Sequence, residues 1–344
     1  MPGLSGGSRN ILAIFLIGFG AFLLVAAILL PTYATSKLKK TPLDLEITTV
    51  SEGSGSVLNI AQFLSGNPDA VEDDVPLRAQ RFVTVEDPSD ARIVTIQAGF
   101  TLSRTDRRGA QGLLNATVDR VTTDRVTAMP VTDPPGSLQV AADQPAIELP
   151  REGLQYKFPF DVEKKSYPYF DINARSTIDI DFVDEITIDG LPVYQFSHTI
   201  EPVDLFRVTR DQANRLGLPK SVWGLSEADA DDADEIVFMS RYYANTRNVF
   251  VEPVTGIIVS GNERIRQYFG TTPDEPALTV LSYDAELNEA TVTDRVAAAE
   301  ASKNRIQMQA DLGPVTVRLP WILAVFGTLS LIVGIVLGTR RSRE

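Results

Sequence analysis

Between residues 156 and 171 the chain gathers six aromatic rings, Tyr156, Phe158, Phe160, Tyr167, Tyr169 and Phe170, directly ahead of Asp171. Lys157, Lys164 and Lys165 are interleaved with them. Rings of this kind stack on apolar sugar faces or alkyl chains while phenol hydroxyls stay wet, and cations beside them suit polar headgroups. Arg241, Tyr242 and Tyr243 form a second such set. The plainer reading of both sets is a structural corner of a β domain. Tyr156, Phe158, Tyr167, Tyr169, Phe170, Asp171, Arg241, Tyr242 and Tyr243 are nonetheless the side chains best suited to contact a lipid or glycan.

Other residues invite catalytic readings that their context weakens. Asp179, Asp181, Asp184, Glu185 and Asp189 resemble a carboxylate pair for glycoside hydrolysis, which needs two carboxyls facing each other across a bond at about 5 to 9 Å. Alternating aspartates on a strand are also what an exposed face looks like. His198 stands beside Ser197, but adjacency in sequence does not make a triad, and a hydrogen-bonded strand histidine is the simpler reading. The run SEADADDADE at 226–235 does not place a glycine and a glutamate at the set positions of a calcium loop, so it reads as a solvated loop. With no cysteine and a single histidine, thiolate catalysis, disulfides and multi-histidine zinc sites are excluded. The sequence therefore points to no catalytic centre, no metal and no cofactor.

Two apolar runs bracket these residues. Ile11–Leu30 and Leu319–Gly338 are each free of charge, and about 20 helical residues cross the roughly 30 Å hydrocarbon core of a bilayer. The first run also fits a signal peptide, although its length favours a retained anchor. Arg340, Arg341 and Arg343 after the second run place the C-terminus in the cytoplasm, and two spans then put the N-terminus there too. Lys37, Lys39 and Lys40 oppose that orientation, but large domains translocate largely regardless of flanking charge. Gly327, Gly334 and Gly338 give the second run a thin side for helix packing.

The chain carries a formal charge of −13 over 344 residues. All basic residues except Arg9, Arg340, Arg341 and Arg343, and all acids except Glu344, lie between the runs. The intervening domain thus carries about −16, which repels nucleic acid. Its pattern is mostly period two. LDLEITTV and VLNIAQF read as strands around a turn at Gly53-Ser54-Gly55, and residues 76–104 read as a hairpin turning at Pro88–Asp90. STIDIDFVDEITI and LPVYQFSHTI pair across Asp189-Gly190, and a further hairpin turns at Pro253–Gly256. Six prolines and glycines between 130 and 150 mark the best boundary between two lobes. Thr209 can cap a short helix over Arg210–Leu216, and residues 288–312 form an alanine-rich, membrane-proximal helix. The expected fold is mainly β: an antiparallel, β-rich extracytoplasmic domain (31–318) with a few helices. It is flanked by two transmembrane helices (11–30 and 319–338) and short cytoplasmic ends (1–10 and 339–344).

YKFPFDVEKKSYPYFD at 156–171, DGLPVYQF at 189–196 and NVFVEPVTGIIV at 248–259, taken with the two spans, resemble an actinobacterial envelope family often labelled the porin PorA family. The resemblance covers nearly the whole chain and brings no catalytic residues with it. The layout is also analogous to that of scavenger-receptor class B proteins, whose β-rich ectodomain between two spans passes lipid toward the bilayer. An outer-membrane barrel, by contrast, closes a ring of amphipathic strands in lipid and has no helical anchors. Together these imply a two-pass bacterial membrane protein whose outer domain binds or shuttles a lipid or lipoglycan in envelope biogenesis. The alternative is an accessory subunit that holds a protein partner in envelope-polysaccharide assembly. A pore or a glycan-processing enzyme follows less directly.

Overall fold

The computed structural model describes residues 6–35, 39–67, 69–226, 230–311 and 313–339. Arg340, Arg341, Arg343, Lys37 and residues 227–229 of the acidic run lie outside the described residues. The chain forms two compact units, one of which is Thr41–Glu300 while the other contains both apolar helices.

In the helical unit, α1 (Gly6–Thr35) and α5 (Gly313–Thr339) contain the apolar stretches Ile11–Leu29 and Arg318–Thr339, each long enough to cross a membrane. They pack on each other through glycine. A Cβ on Gly20 would stand 2.7 Å from the Gly327 carbonyl, and one on Gly334 would stand 3.1 Å from the Ala13 carbonyl. Backbones this close are what small residues permit between membrane helices. Ser330 Oγ donates to the Leu16 carbonyl at 2.8 Å. Residue 20 meets 327 while 13–17 meet 334, so the helices run antiparallel.

The other unit is one large antiparallel sheet. Its strands are β1 (Glu46–Leu58), β2 (Val71–Glu86), β3 (Ile93–Arg104), β4 (Leu113–Asp124), β5 (Ser137–Gln139), β6 (Ile147–Glu148) and β7 (Tyr167–Asp171). They continue with β8 (Ser176–Ile188), β9 (Leu191–Asp204), β10 (Arg215–Pro219), β11 (Ile236–Val251), β12 (Ile258–Gly270) and β13 (Pro276–Leu287). The order is β6-β5-β4-β3-β2-β1-β13-β12-β11-β9-β8-β7, with β10 added on β11. The expected hairpins at 87–92, 189–190 and 252–257 are all present. Asp189 and Gly190 both have positive φ, as a two-residue hairpin turn requires.

Four local expectations fail for identifiable reasons. VLNIAQF is strand only as far as Leu58, because Asn59 caps a helix at Ile60–Leu64 by accepting from Gln62 N. Gly53-Ser54-Gly55 is no turn: β1 runs straight through it. A Cβ on either glycine would lie 2.0 Å from a carbonyl of β13, so these glycines serve a close strand approach and a bulge instead. The short helix is α3 (Leu205–Thr209), one turn earlier than expected. Asp204 caps it through Phe206 N and Arg207 N, and Arg210 ends it in the left-handed conformation. Residues 215–219, with Gly217 and Pro219, pair as strand β10. Finally, the proline-rich stretch 130–150 is not where the molecule divides, because β5 and β6 within it extend the same sheet.

The sheet curls. Along its order β4 and β7 stand nine strand spacings apart, about 43 Å in a flat sheet. Yet the Arg151 guanidinium holds Asp119 of β4 with two 2.8 Å bonds and lies 4.9 Å over the ring of Phe170 of β7. Leu138 of β5 and Leu149 pack against the same ring, and Leu154 bridges to Tyr169. Segment 149–156 therefore seals a near-closed barrel. Inward positions carry the core: Val75, Leu77 and Val83 of β2 are buried while Pro76, Arg78 and Gln80 between them are exposed. The largest cluster joins Phe158, Tyr167, Tyr169, Ile180, Phe196 and Val251.

Two helices complete this unit. The five-residue helix α2 (Ile60–Leu64) sets Phe63 against Trp223. The long helix α4 (Glu289–Asp311) belongs to this unit as far as Glu300, and that part lays Val292, Val296 and Ala299 on Leu191, Val193 and Val259. Its start is fixed by Asn288, whose side chain accepts from Thr291 N at 3.0 Å.

Candidate functional site

The curl brings charged inward residues together. Asp171 ends β7, and its Oδ1 accepts from Asn173 N and Ala174 N at 2.9 and 2.8 Å, closing a turn. That leaves Oδ2 for the Tyr243 hydroxyl and for Arg247 Nη2, both at 3.1 Å. Arg247 also donates from Nε to Glu263 at 2.8 Å, and Asn245 reaches the other Glu263 oxygen at 3.2 Å. Burial alone would raise the Glu263 carboxyl, but the Arg247 charge and hydrogen bond outweigh it and hold it at about 2. The Arg247 guanidinium lies 5.5 Å over the Tyr169 ring.

His198 belongs to the same network. It is buried, stands edge-on to Tyr169 at 5.5 Å, and its Nε2 accepts from Arg247 Nη1 at 3.4 Å. Burial, then the Arg247 charge, push its pKa down to about 4, so the ring is neutral near pH 7. A second network centres on Asp119, which accepts from Arg151, from the Tyr156 hydroxyl at 2.5 Å and from Gln155 at 3.2 Å. Burial, reinforced by Asp119, raises the Tyr156 phenol well above its ordinary value.

Between the two networks lies a hollow of about 180 Å³. Strands β1 to β4 and β11 to β13 form its wall, with Tyr156, Tyr169 and Phe170 from the sealing side. Its lining mixes Phe100, Leu102, Val249 and Ile265 with Asn115, Asn262, Arg81, Asp119, Arg247 and Glu263. Asn115 and Asn173 line it and are exposed, so it communicates with solvent. It is smaller than the roughly 300–1,000 Å³ of pockets that swallow a whole drug-sized ligand.

The outer face of the same strands carries a groove of about 520 Å³, lined by Phe82, Gly99, Ala116, Val118 and Ala142 among others. Phe82, Gly99 and Val118 are register partners, so the glycine leaves a trough between two larger side chains. Hollow and groove meet at β4. Asn115 and Thr117 line the first; Ala116, Thr117 and Val118 line the second. Strand β5 pairs only with residues 118–120, so among the described residues no strand covers the edge at 113–117.

The structure sorts the nine residues singled out in the sequence. Tyr156, Tyr169 and Phe170 face the hollow. Asp171 and Tyr243 stand behind it in the Arg247 network. Phe158 and Tyr167 are core, 5.5 Å apart in an edge contact. Tyr242 stacks on Tyr268 and Arg241 donates to Gln267, and neither lines the hollow. Asp179, Asp181, Asp184, Glu185 and Asp189 are all exposed. Among the described residues no cluster of histidine and carboxylate side chains is placed to hold a metal.

Arg81, Asp119, Arg151, Arg247 and Glu263 escaped the sequence reading. A signal for two of them was present: Val75-Leu77-Ala79-Arg81-Val83 and Tyr243-Asn245-Arg247-Val249-Val251 are inward rows, each interrupted by a guanidinium. A charge in the buried register of a strand deserves the weight that aromatic density received.

The family model described as "Porin PorA" matches residues 12–336. A protein named Porin PorA from Corynebacterium amycolatum is 34% identical over 377 residues, covering 93% of this chain and 96% of that one. Another of the same name from Corynebacterium resistens is 33% identical over 412 residues, covering 97% and 98%. With the family's model matched over nearly the full length and both relatives covered end to end, the chain belongs to the porin PorA family.

Proposed function

We propose that this is a membrane-anchored cell-envelope protein whose β unit binds an amphiphile, an envelope lipid or lipoglycan, across the free edge of β4. One observation carries this reading: a partly polar hollow and an apolar groove lie on opposite faces of the same strand pair and meet at residues 115–118. A polar head fits the 180 Å³ hollow, and an alkyl chain fits the 520 Å³ groove. Apolar surface covered there contributes about 25 cal/mol per Å². The antiparallel α1–α5 pair and the terminal arginines support a two-pass anchor with both ends cytoplasmic.

The relatives' name suggests a pore as a second reading. Two features favour binding over conduction. The outer face of the sheet carries exposed ion-pair ladders, Arg78–Glu52 at 2.6 Å and Arg264–Asp284 at 3.1 Å, where a lipid-facing barrel needs an apolar band. The two apolar helices contact each other through glycine backbones and leave no water path between Gly20 and Gly327. A scaffold role would need a free helix face, and Gly327 and Gly334 are occupied by α1, leaving Gly338 open. The test is lipid analysis of the full chain purified from membranes, wild type against Gly99→Trp, whose ring fills the groove. Retention of amphiphile by wild type and its loss in the variant supports the reading. A lipid-free wild type that conducts ions in planar bilayers supports the pore.

A further inference from the structure

Resting on that reading, we propose that Arg81 is the anion-binding residue of the hollow and that the ligand presents it a phosphate-type oxyanion. Arg81 occupies the inward register of β2 between Ala79 and Val83 and lines the hollow. The other charges of the lining are matched: Arg247 holds Asp171 and Glu263, and Arg151 holds Asp119. Among the described residues Arg81 makes no ion pair and no side-chain hydrogen bond. Its ring contact is with Tyr156, 5.7 Å away, and its charge also acts on the Glu263 carboxyl that Arg247 holds. That ring's hydroxyl is already committed to Asp119.

Arg81 is half-buried and no side chain takes up its donors, so its guanidinium is left to meet solvent or a ligand in the hollow. Its planar fork suits two oxygens of a phosphate. A second cation strengthens the field. Arg295 of α4 donates to the carbonyl of Ile258, a lining residue, and has no ion pair among the described residues. Burial, and then the charge of Arg81, lower it to about 10. The hollow's volume suits a headgroup or free phosphate and excludes a whole lipid.

The experiment is titration calorimetry on the detergent-solubilised full chain, as wild type, Arg81→Gln and Arg81→Lys. Three probes are used: dihexanoyl phosphatidic acid, dihexanoylglycerol and inorganic phosphate. Thermal melts confirm that each variant is folded. The expected result is a preference of about tenfold for the phosphatidic acid over the neutral glyceride in wild type, lost in Arg81→Gln and partly kept in Arg81→Lys. Binding of inorganic phosphate alone, lost in Arg81→Gln, supports the site with free phosphate as its source. Equal binding of both amphiphiles by wild type, or a preference that survives in Arg81→Gln, overturns the anion site and leaves the amphiphile reading standing. Binding of none of the three overturns both.

Discussion

Arg247 of β11 reaches Asp171 at the end of β7 with a 3.1 Å bond, although β9 and β8 separate the two strands in the sheet. Asp171 is fully buried and Arg247 nearly so. The pair, extended to Glu263, fastens the curl of the sheet from inside. Replacing Arg247 with methionine leaves the fully buried Asp171 and the partly buried Glu263 without their cation, which costs about 3 kcal/mol. Unfolding of the full chain, followed by fluorescence of buried Trp223 with Trp321→Phe as background, checks this. A loss under about 1 kcal/mol would show that the network is dispensable.

His198 makes the unit acid-sensitive above the usual carboxylate range. Its folded value of about 4 lies below its ordinary 6.5, so between those values the unfolded chain binds the proton more readily. Stability is complete above about pH 6.5 and falls as pH drops toward 4, by on the order of 1–3 kcal/mol. Glu263, depressed to about 2 from 4.5, adds a further loss as pH falls through that lower window. In His198→Gln the slope between pH 6.5 and 4 should flatten while the lower one remains. An unchanged profile would assign the acid response to other groups.

The helix pair gives a topological prediction. The chain has no cysteine, so Leu16→Cys with Ser330→Cys, placed where the Ser330 hydroxyl reaches the residue 16 backbone carbonyl at 2.8 Å, should form one intramolecular disulfide in membranes. Adding Gly327→Leu, whose side chain has no room beside Gly20, should abolish it. A disulfide between two copies instead would assign the glycine face to self-association.

Much of the fold was legible in the sequence because period-two alternation and turn chemistry are local. The Asp189-Gly190 hairpin and the helix starting after Asn288 are examples. The curl was not legible, because it depends on Arg151 meeting Asp119 and Phe170, contacts that no local window contains. Gly53 and Gly55 misled for the same reason: a glycine that admits a neighbouring strand looks, in isolation, like one that makes a turn. Aromatic density found the sealing wall through Tyr156, Tyr169 and Phe170. It also drew in Phe158 and Tyr167, since rings that fill a core and rings that face a hollow have the same composition. The edge groove rests on Gly99 flanked by Phe82 and Val118 across three strands, and only register reveals it.

The most direct test of the account is mass spectrometry of lipid bound to the full chain, extracted from its own membranes, in wild type and Gly99→Trp. The account predicts a bound envelope amphiphile in wild type, reduced about tenfold or more in a variant that melts at the same temperature. Wild-type protein free of amphiphile, or equal amounts in both proteins, would contradict it.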